Sequence, residues 1–138
     1  MQKIAMLGSG FIGRFYAESI QGQRSRDQII SIYSRREESA KKFAADYGCS
    51  HWTTDMEAAV AHPEVDVVCI SLPNNLHEAA VMLCCKHKKA VITTKPLGRN
   101  AAEAKRMLEA VEKAGIFNGY LEDLVYKIGR AHVLTPVT

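Results

Sequence analysis

The 138-residue sequence has no apolar run approaching the ~20 residues needed to cross a bilayer, which excludes a reading as a helical membrane protein. The first strand-like segment begins at Lys3, leaving no room for a secretory signal, so a cytoplasmic location is expected. Cysteine is sparse. Cys49, Cys69, Cys84 and Cys85 show neither Cys-x-x-Cys spacing nor histidines placed for zinc, so no metal site and no disulfide framework is expected. Such thiols pack as small hydrophobes. An excess of one charge is also lacking, since 18 basic and 15 acidic residues give only +3, spread along the chain. That leaves no footprint for nucleic acid or an anionic membrane. The pairs Arg35-Arg36, Lys41-Lys42 and Lys88-Lys89 read as solvated helix ends or turns, and there is no internal repeat or low-complexity segment.

With 47% hydrophobic and 24% charged residues, the chain has the material for one ordinary domain. Apolar runs of strand length alternate with segments of helical period, the pattern of parallel strands joined by crossover helices. Strands are predicted at Lys3 to Leu7, Ile29 to Tyr33, His51 to Thr53, Val65 to Ser71, Ala90 to Thr93 and Ile116 to Tyr120. Helices are predicted at Phe11 to Ile20, Glu37 to Tyr47, Met56 to Ala61, Leu76 to Lys86 and Ala101 to Ala114. The expected fold is α/β, a doubly wound parallel sheet of Rossmann type. Four spacings read as capping boxes: Ser34 with Glu37, Thr54 with Glu57, Asn75 with Glu78, and Asn100 with Glu103.

The last eleven residues, 128–138, do not follow this plan. Ile128-Gly129-Arg130-Ala131-His132-Val133, then Leu134 and Thr135-Pro136-Val137-Thr138, resembles the translation of a sequencing adapter. The expectation is a non-native tail appended to a dinucleotide-binding unit at 1–127, the chain then being a fragment, and the alternative is a natural irregular C-terminus.

Gly8-Ser9-Gly10-Phe11-Ile12-Gly13 follows a strand and opens a helix, the context of a dinucleotide fingerprint. The first glycine allows a tight turn, the second a close approach by pyrophosphate, and the third close packing of helix on strand. Helix-start amides then face the phosphates. Gly8, Gly10, Phe11, Ile12 and Gly13 are accordingly cofactor-binding candidates.

After the second strand, where an acid would hold the adenosine ribose of NAD, the sequence reads Ser34-Arg35-Arg36. A hydroxyl and guanidinium groups suit the 2′-phosphate of NADP, so the cofactor is NADP or NAD with NADP favoured. The bland alternative is an exposed basic helix start with Glu37 partnering an arginine. Ser71, Leu72, Pro73 and Asn74 leave the fourth strand at the expected switch point of the sheet, within reach of a cofactor. His77, alone in a first helical turn, reads by itself as a packing or surface residue. Lys95, before Pro96 at the end of the fifth strand, could hydrogen-bond a substrate hydroxyl and move its proton.

From Met1 to about Lys127, through these motifs and the terminal Gly119-Tyr120-Leu121-Glu122-Asp123, the chain resembles the N-terminal half of the Gfo/Idh/MocA oxidoreductases. The resemblance implies an NAD(P)-dependent dehydrogenase acting on a sugar, inositol or related polyol, with Lys95 catalytic and Lys95, His77 and Pro96 among the cofactor-binding residues. Family members usually read Glu-Lys-Pro where this chain has Thr94-Lys95-Pro96. They also carry a second domain, absent here, so the fragment is expected to bind cofactor without turnover and the full-length protein to be a homo-oligomer. Nucleic acid and membrane are not expected partners. Alternatives are a non-catalytic dinucleotide-sensing or regulatory module, or another oxidoreductase family with the same first domain.

Overall fold

The computed structural model describes residues 1–22 and 26–122, and the tail expected at 128–138 lies outside them. The order is β1 (Lys3–Leu7), α1 (Phe11–Gly22), β2 (Gln28–Tyr33), α2 (Glu37–Tyr47), β3 (His51–Thr53), α3 (Met56–Ala61), β4 (Val67–Ile70), α4 (His77–Lys86), β5 (Ala90–Thr94), α5 (Ala101–Ala114) and β6 (Asn118–Leu121). All strand pairs are parallel, in the order β3-β2-β1-β4-β5-β6. This is the doubly wound arrangement the alternating pattern predicts.

Strand alternation sends successive side chains to opposite faces of the sheet. Ile4 and Met6 of β1 join Ala17, Phe43 and Ala44 on the face covered by α1 and α2. Ala5 and Leu7 join Val60, Val81, Met107 and Val111 on the face covered by α3, α4 and α5. Both faces of β1 and β4 are therefore buried, which is why these strands read as continuous apolar runs. In β2 the register skips a residue, with Ile4 opposite Ile29 but Ala5 opposite Ser31. That bulge puts Ile29 and Ile32, three apart, on the same face.

The predicted boundaries shift at several places, β2 starting one residue earlier at Gln28 and β5 and β6 ending one later at Thr94 and Leu121. Helix α1 runs on to Gly22, β4 is confined to Val67–Ile70, and a 3₁₀ turn at Asn74–Leu76 precedes α4, so the regular helix starts at His77. Strand β6 begins at Asn118 because the Ile116 amide, past the end of α5, still turns back to bond Val111 O at 3.4 Å.

Only one of the four capping boxes takes its expected form at the cap residue. Asn100 Oδ1 accepts from the Glu103 amide at 2.9 Å, although the Glu103 carboxylate returns its bond to the Arg99 amide at 2.8 Å. Arg36, with no side-chain bond, stands at the cap of α2, because Ser34 is buried and occupied elsewhere. Asp55, not Thr54, caps α3 by accepting from the amides of Glu57 and Ala58. The intervening 3₁₀ turn removes Asn75 from the start of α4.

The four cysteines are free thiols, and burial pushes Cys69 and Cys84 up to about 12 and Cys49 to about 11, which keeps them protonated and inert. Among the described residues no group of three potential ligands can hold a metal ion, and no helix is long and apolar enough to cross a membrane. On the β3 edge, His51 Nδ1 meets buried Ser31 Oγ at 2.9 Å and its ring stands 5.0 Å from that of His62. Burial first, and the neighbouring His62 second, lower the pKa of His51 below its ordinary value.

Candidate functional site

Between β1 and β4 the winding of the sheet reverses, because the chain runs outward from these two neighbours in opposite directions. The carboxyl ends of such strands splay apart and leave a crevice, the usual ligand position in open α/β sheets. Here the turn after β1 meets the segments leaving β2 and β4.

Gly8 has φ of 112°, its amide donates to Tyr33 O at 3.0 Å, and an added Cβ would stand 2.6 Å from Ser71 O. An added Cβ on Gly13 would stand 2.1 Å from Gly8 O. These two glycines are required by the protein's own packing. Gly10 differs: a Cβ there would meet no protein atom within 4 Å. Since Gly10 lines the cleft, the space its missing side chain leaves is open to a bound molecule.

Two side-chain bonds fix the cleft walls. Ser71 Oγ donates to Leu7 O at 2.9 Å, with Gly8 O at 3.3 Å, tying the exit of β4 to the glycine turn. Ser9 Oγ and Ser34 Oγ lie 2.9 Å apart, tying the same turn to the exit of β2. The first hydrogen bond of α1 runs from Arg14 N to Gly10 O at 3.0 Å. The amides of Phe11, Ile12 and Gly13 before it therefore have no intrahelical acceptor, and the positive end of the helix faces the turn.

Of the expected cofactor residues, Gly8, Gly10, Ser34, Arg35, Arg36, Ser71, Leu72 and Pro73 line this one cleft. Arg35 and Arg36 are exposed, and Glu37 pairs with Lys41 at 2.7 Å instead of with either arginine. Ile12 and Lys95 line an adjoining cleft that shares Ser71 and Leu72 with the first. Gly13 packs under the turn, while Phe11, Asn74, His77 and Pro96 are absent from both linings. Phe11 is 82% exposed, whereas His77 is fully buried.

As site candidates, sequence reasoning passed over Ser9, Tyr33, Ser39 and Leu76 in the first cleft and Phe15, Tyr16 and Thr94 in the second. A signal existed for Ser39, a small polar residue in the first turn of the helix after β2. Phe15 follows Phe11 and Ile12 at helical spacing and is 52% exposed, but an apolar residue on α1 gives no sign from sequence that it faces outward.

The residues present suit a dinucleotide. A cradle with no side chain at Gly10, unpaired amides at the start of α1, and cationic side chains beside Ser34 match pyrophosphate and ribose chemistry.

Residues 2–119 match the family described as "Oxidoreductase family, NAD-binding Rossmann fold", Gfo/Idh/MocA. The chain is 35% identical over 103 residues to an uncharacterized oxidoreductase of Escherichia coli, covering 75% of this chain and 31% of that protein. It is 31% identical over 116 residues to scyllo-inositol 2-dehydrogenase (NADP(+)) of Bacillus subtilis, covering 84% of this chain and 35% of that one. The crystal structure of an NAD binding oxidoreductase from Klebsiella pneumoniae superimposes with a TM-score of 0.84 at 27% identity, over 91% of this chain and 35% of that one. The chain thus spans about a third of the length of the curated relatives it matches. A parallel six-stranded sheet with a glycine turn at its switch point, and a family match over nearly all of the described residues, lead to one conclusion: the chain belongs to the Gfo/Idh/MocA oxidoreductase family, as its NAD-binding Rossmann domain.

Proposed function

We propose that this chain is the cofactor-holding part of an NAD(P)-dependent dehydrogenase that interconverts a hydroxyl and a ketone on a sugar, inositol or related polyol, with NADP favoured over NAD. The observation that carries the reading is Gly10, a glycine that lines the cleft and that no contact within the protein requires. When bound, the dinucleotide supplies hydride transfer.

The remaining tasks fall to the chain's own groups. The amides of Phe11, Ile12 and Gly13 hold pyrophosphate oxygens, and Gly10 allows the backbone to approach them. Ser34, with Arg35 or Arg36, holds the adenosine ribose, where exposed guanidinium groups engaged in no ion pair among the described residues suit a 2′-phosphate. Lys95, in the adjoining cleft, bonds the substrate hydroxyl and moves its proton. Buried Thr94 stands where the family usually has a glutamate, so Lys95 lacks the carboxylate commonly placed before it. The polyol substrate class draws support from the scyllo-inositol dehydrogenase among the relatives.

Titrating the chain with NADPH and NADH and following nicotinamide fluorescence tests the cofactor reading, with saturable binding of both and the lower Kd for NADPH expected. Absence of binding by either removes the proposal. Binding without polyol-dependent absorbance change in a full-length protein points instead to a non-catalytic dinucleotide-sensing module.

A further inference from the structure

His77 stands behind both clefts without lining either one. Its side chain is fully buried at the first residue of α4. Nε2 lies 2.9 Å from Leu72 O, and Nδ1 lies 2.9 Å from Pro96 O with Leu97 O at 3.4 Å. Carbonyl oxygens only accept, so a neutral ring donates one of these bonds, from whichever nitrogen carries the proton, and an imidazolium donates both. The two chain segments between which the ring is lodged leave different strands. Leu72 follows β4 and belongs to both clefts, whereas Pro96 follows Lys95, which lines only the second.

We infer that His77 is a positioning residue: its ring straps the Leu72 turn to the Pro96 loop and so sets the spacing between Leu72 and Lys95 across the second cleft. The inference rests on the dinucleotide reading above and extends it by placing the adenosine half in the first cleft and the nicotinamide half in the second. It assigns His77 no contact with the cofactor. The adenosine side meets the strap only at the Leu72 turn, while its Ser9 to Ser34 bond and its arginines do not touch it. Loss of the strap therefore loosens the Lys95 side of the site more than the adenosine side.

Calorimetric titration of the whole chain with NADH and with ADP-ribose, which lacks only the nicotinamide, separates the halves. His77→Phe keeps the ring and removes both nitrogens. It is expected to weaken NADH about tenfold, the order of one lost hydrogen bond, and to leave ADP-ribose within about twofold. His77→Gln, which keeps a side-chain N–H donor, is expected to recover part of the NADH affinity. Equal weakening of both compounds, or of neither, overturns the positioning role in favour of simple core filling. Amide hydrogen exchange in the unliganded chain gives a second readout: faster exchange at Lys95 and Leu97 with no change at Gly8 and Gly10 is expected of His77→Phe, or of His77→Gln should the Phe variant not fold. Unchanged exchange at Lys95 and Leu97 removes the strap. A parent chain that binds neither compound sinks the dinucleotide reading, and the exchange comparison still decides the strap by itself.

Discussion

Gly13 lies so close under the carbonyl of Gly8 that a Cβ added at Gly13 would stand 2.1 Å from that oxygen. Helix propensity alone favours alanine at this position by about 1 kcal/mol. Overpacking against a backbone atom costs about 1 to 3 kcal/mol or more, because the carbonyl moves only if the whole turn moves. Gly13→Ala is therefore expected to be destabilised by about 1 to 2 kcal/mol on balance. A urea melt unchanged from the parent would show that the turn yields more easily than this geometry allows.

Gly10→Val is expected to do the opposite. With no protein atom within 4 Å of the added Cβ, stability should stay within about 1 kcal/mol of the parent, while NADPH binding is severely weakened by the branched side chain in the cleft. Retained NADPH affinity in a fluorescence titration of this variant would falsify the pyrophosphate assignment.

Arg35→Ala and Arg36→Ala, tested one at a time, should reveal which guanidinium serves the 2′-phosphate. The responsible substitution is expected to cost NADP about 1.5 to 3 kcal/mol and to leave NAD nearly untouched. Equal losses for both cofactors would instead indicate a general electrostatic effect, and a parent preference for NAD would remove the NADP assignment.

The His51 ring supplies a pH dependence. Its folded pKa lies below the ordinary value of 6.5, through burial and then through His62, so the unfolded chain takes up the proton first. Its contribution to stability is complete above 6.5 and is lost as pH falls through the folded value. Urea midpoints followed from above that value downward should fall for the parent and fall less for His51→Gln. Parallel pH profiles for the two proteins would exclude His51 as the source.

Lys95→Ala, in a full-length protein carrying this domain, is expected to lower turnover about 100-fold to 10,000-fold while cofactor affinity changes little. Normal turnover would leave Lys95 as a structural loop residue. Turnover by the 138-residue chain alone would contradict the expectation that a further domain is needed.

What the sequence determined by itself is whatever depends on local order along the chain. Hydrophobic period and strand length are local, so the six strands, five helices and their parallel winding were legible, as were the roles of Gly8 and Gly13, which follow from a turn between a strand and a helix. The switch point was legible too, because it follows from strand order. Tertiary structure decided what depends on neighbours distant in sequence. Ser34 reads as a helix cap until its hydroxyl is seen 2.9 Å from that of Ser9, and the bulge that places Ile29 and Ile32 together arises only when β2 pairs with β1. His77 is the sharpest case, since its two carbonyl partners lie 5 and 19 residues away and come within 2.9 Å only once β4 and β5 lie side by side. No pattern in the chain announces such a contact, because its geometry is set by the sheet as a whole.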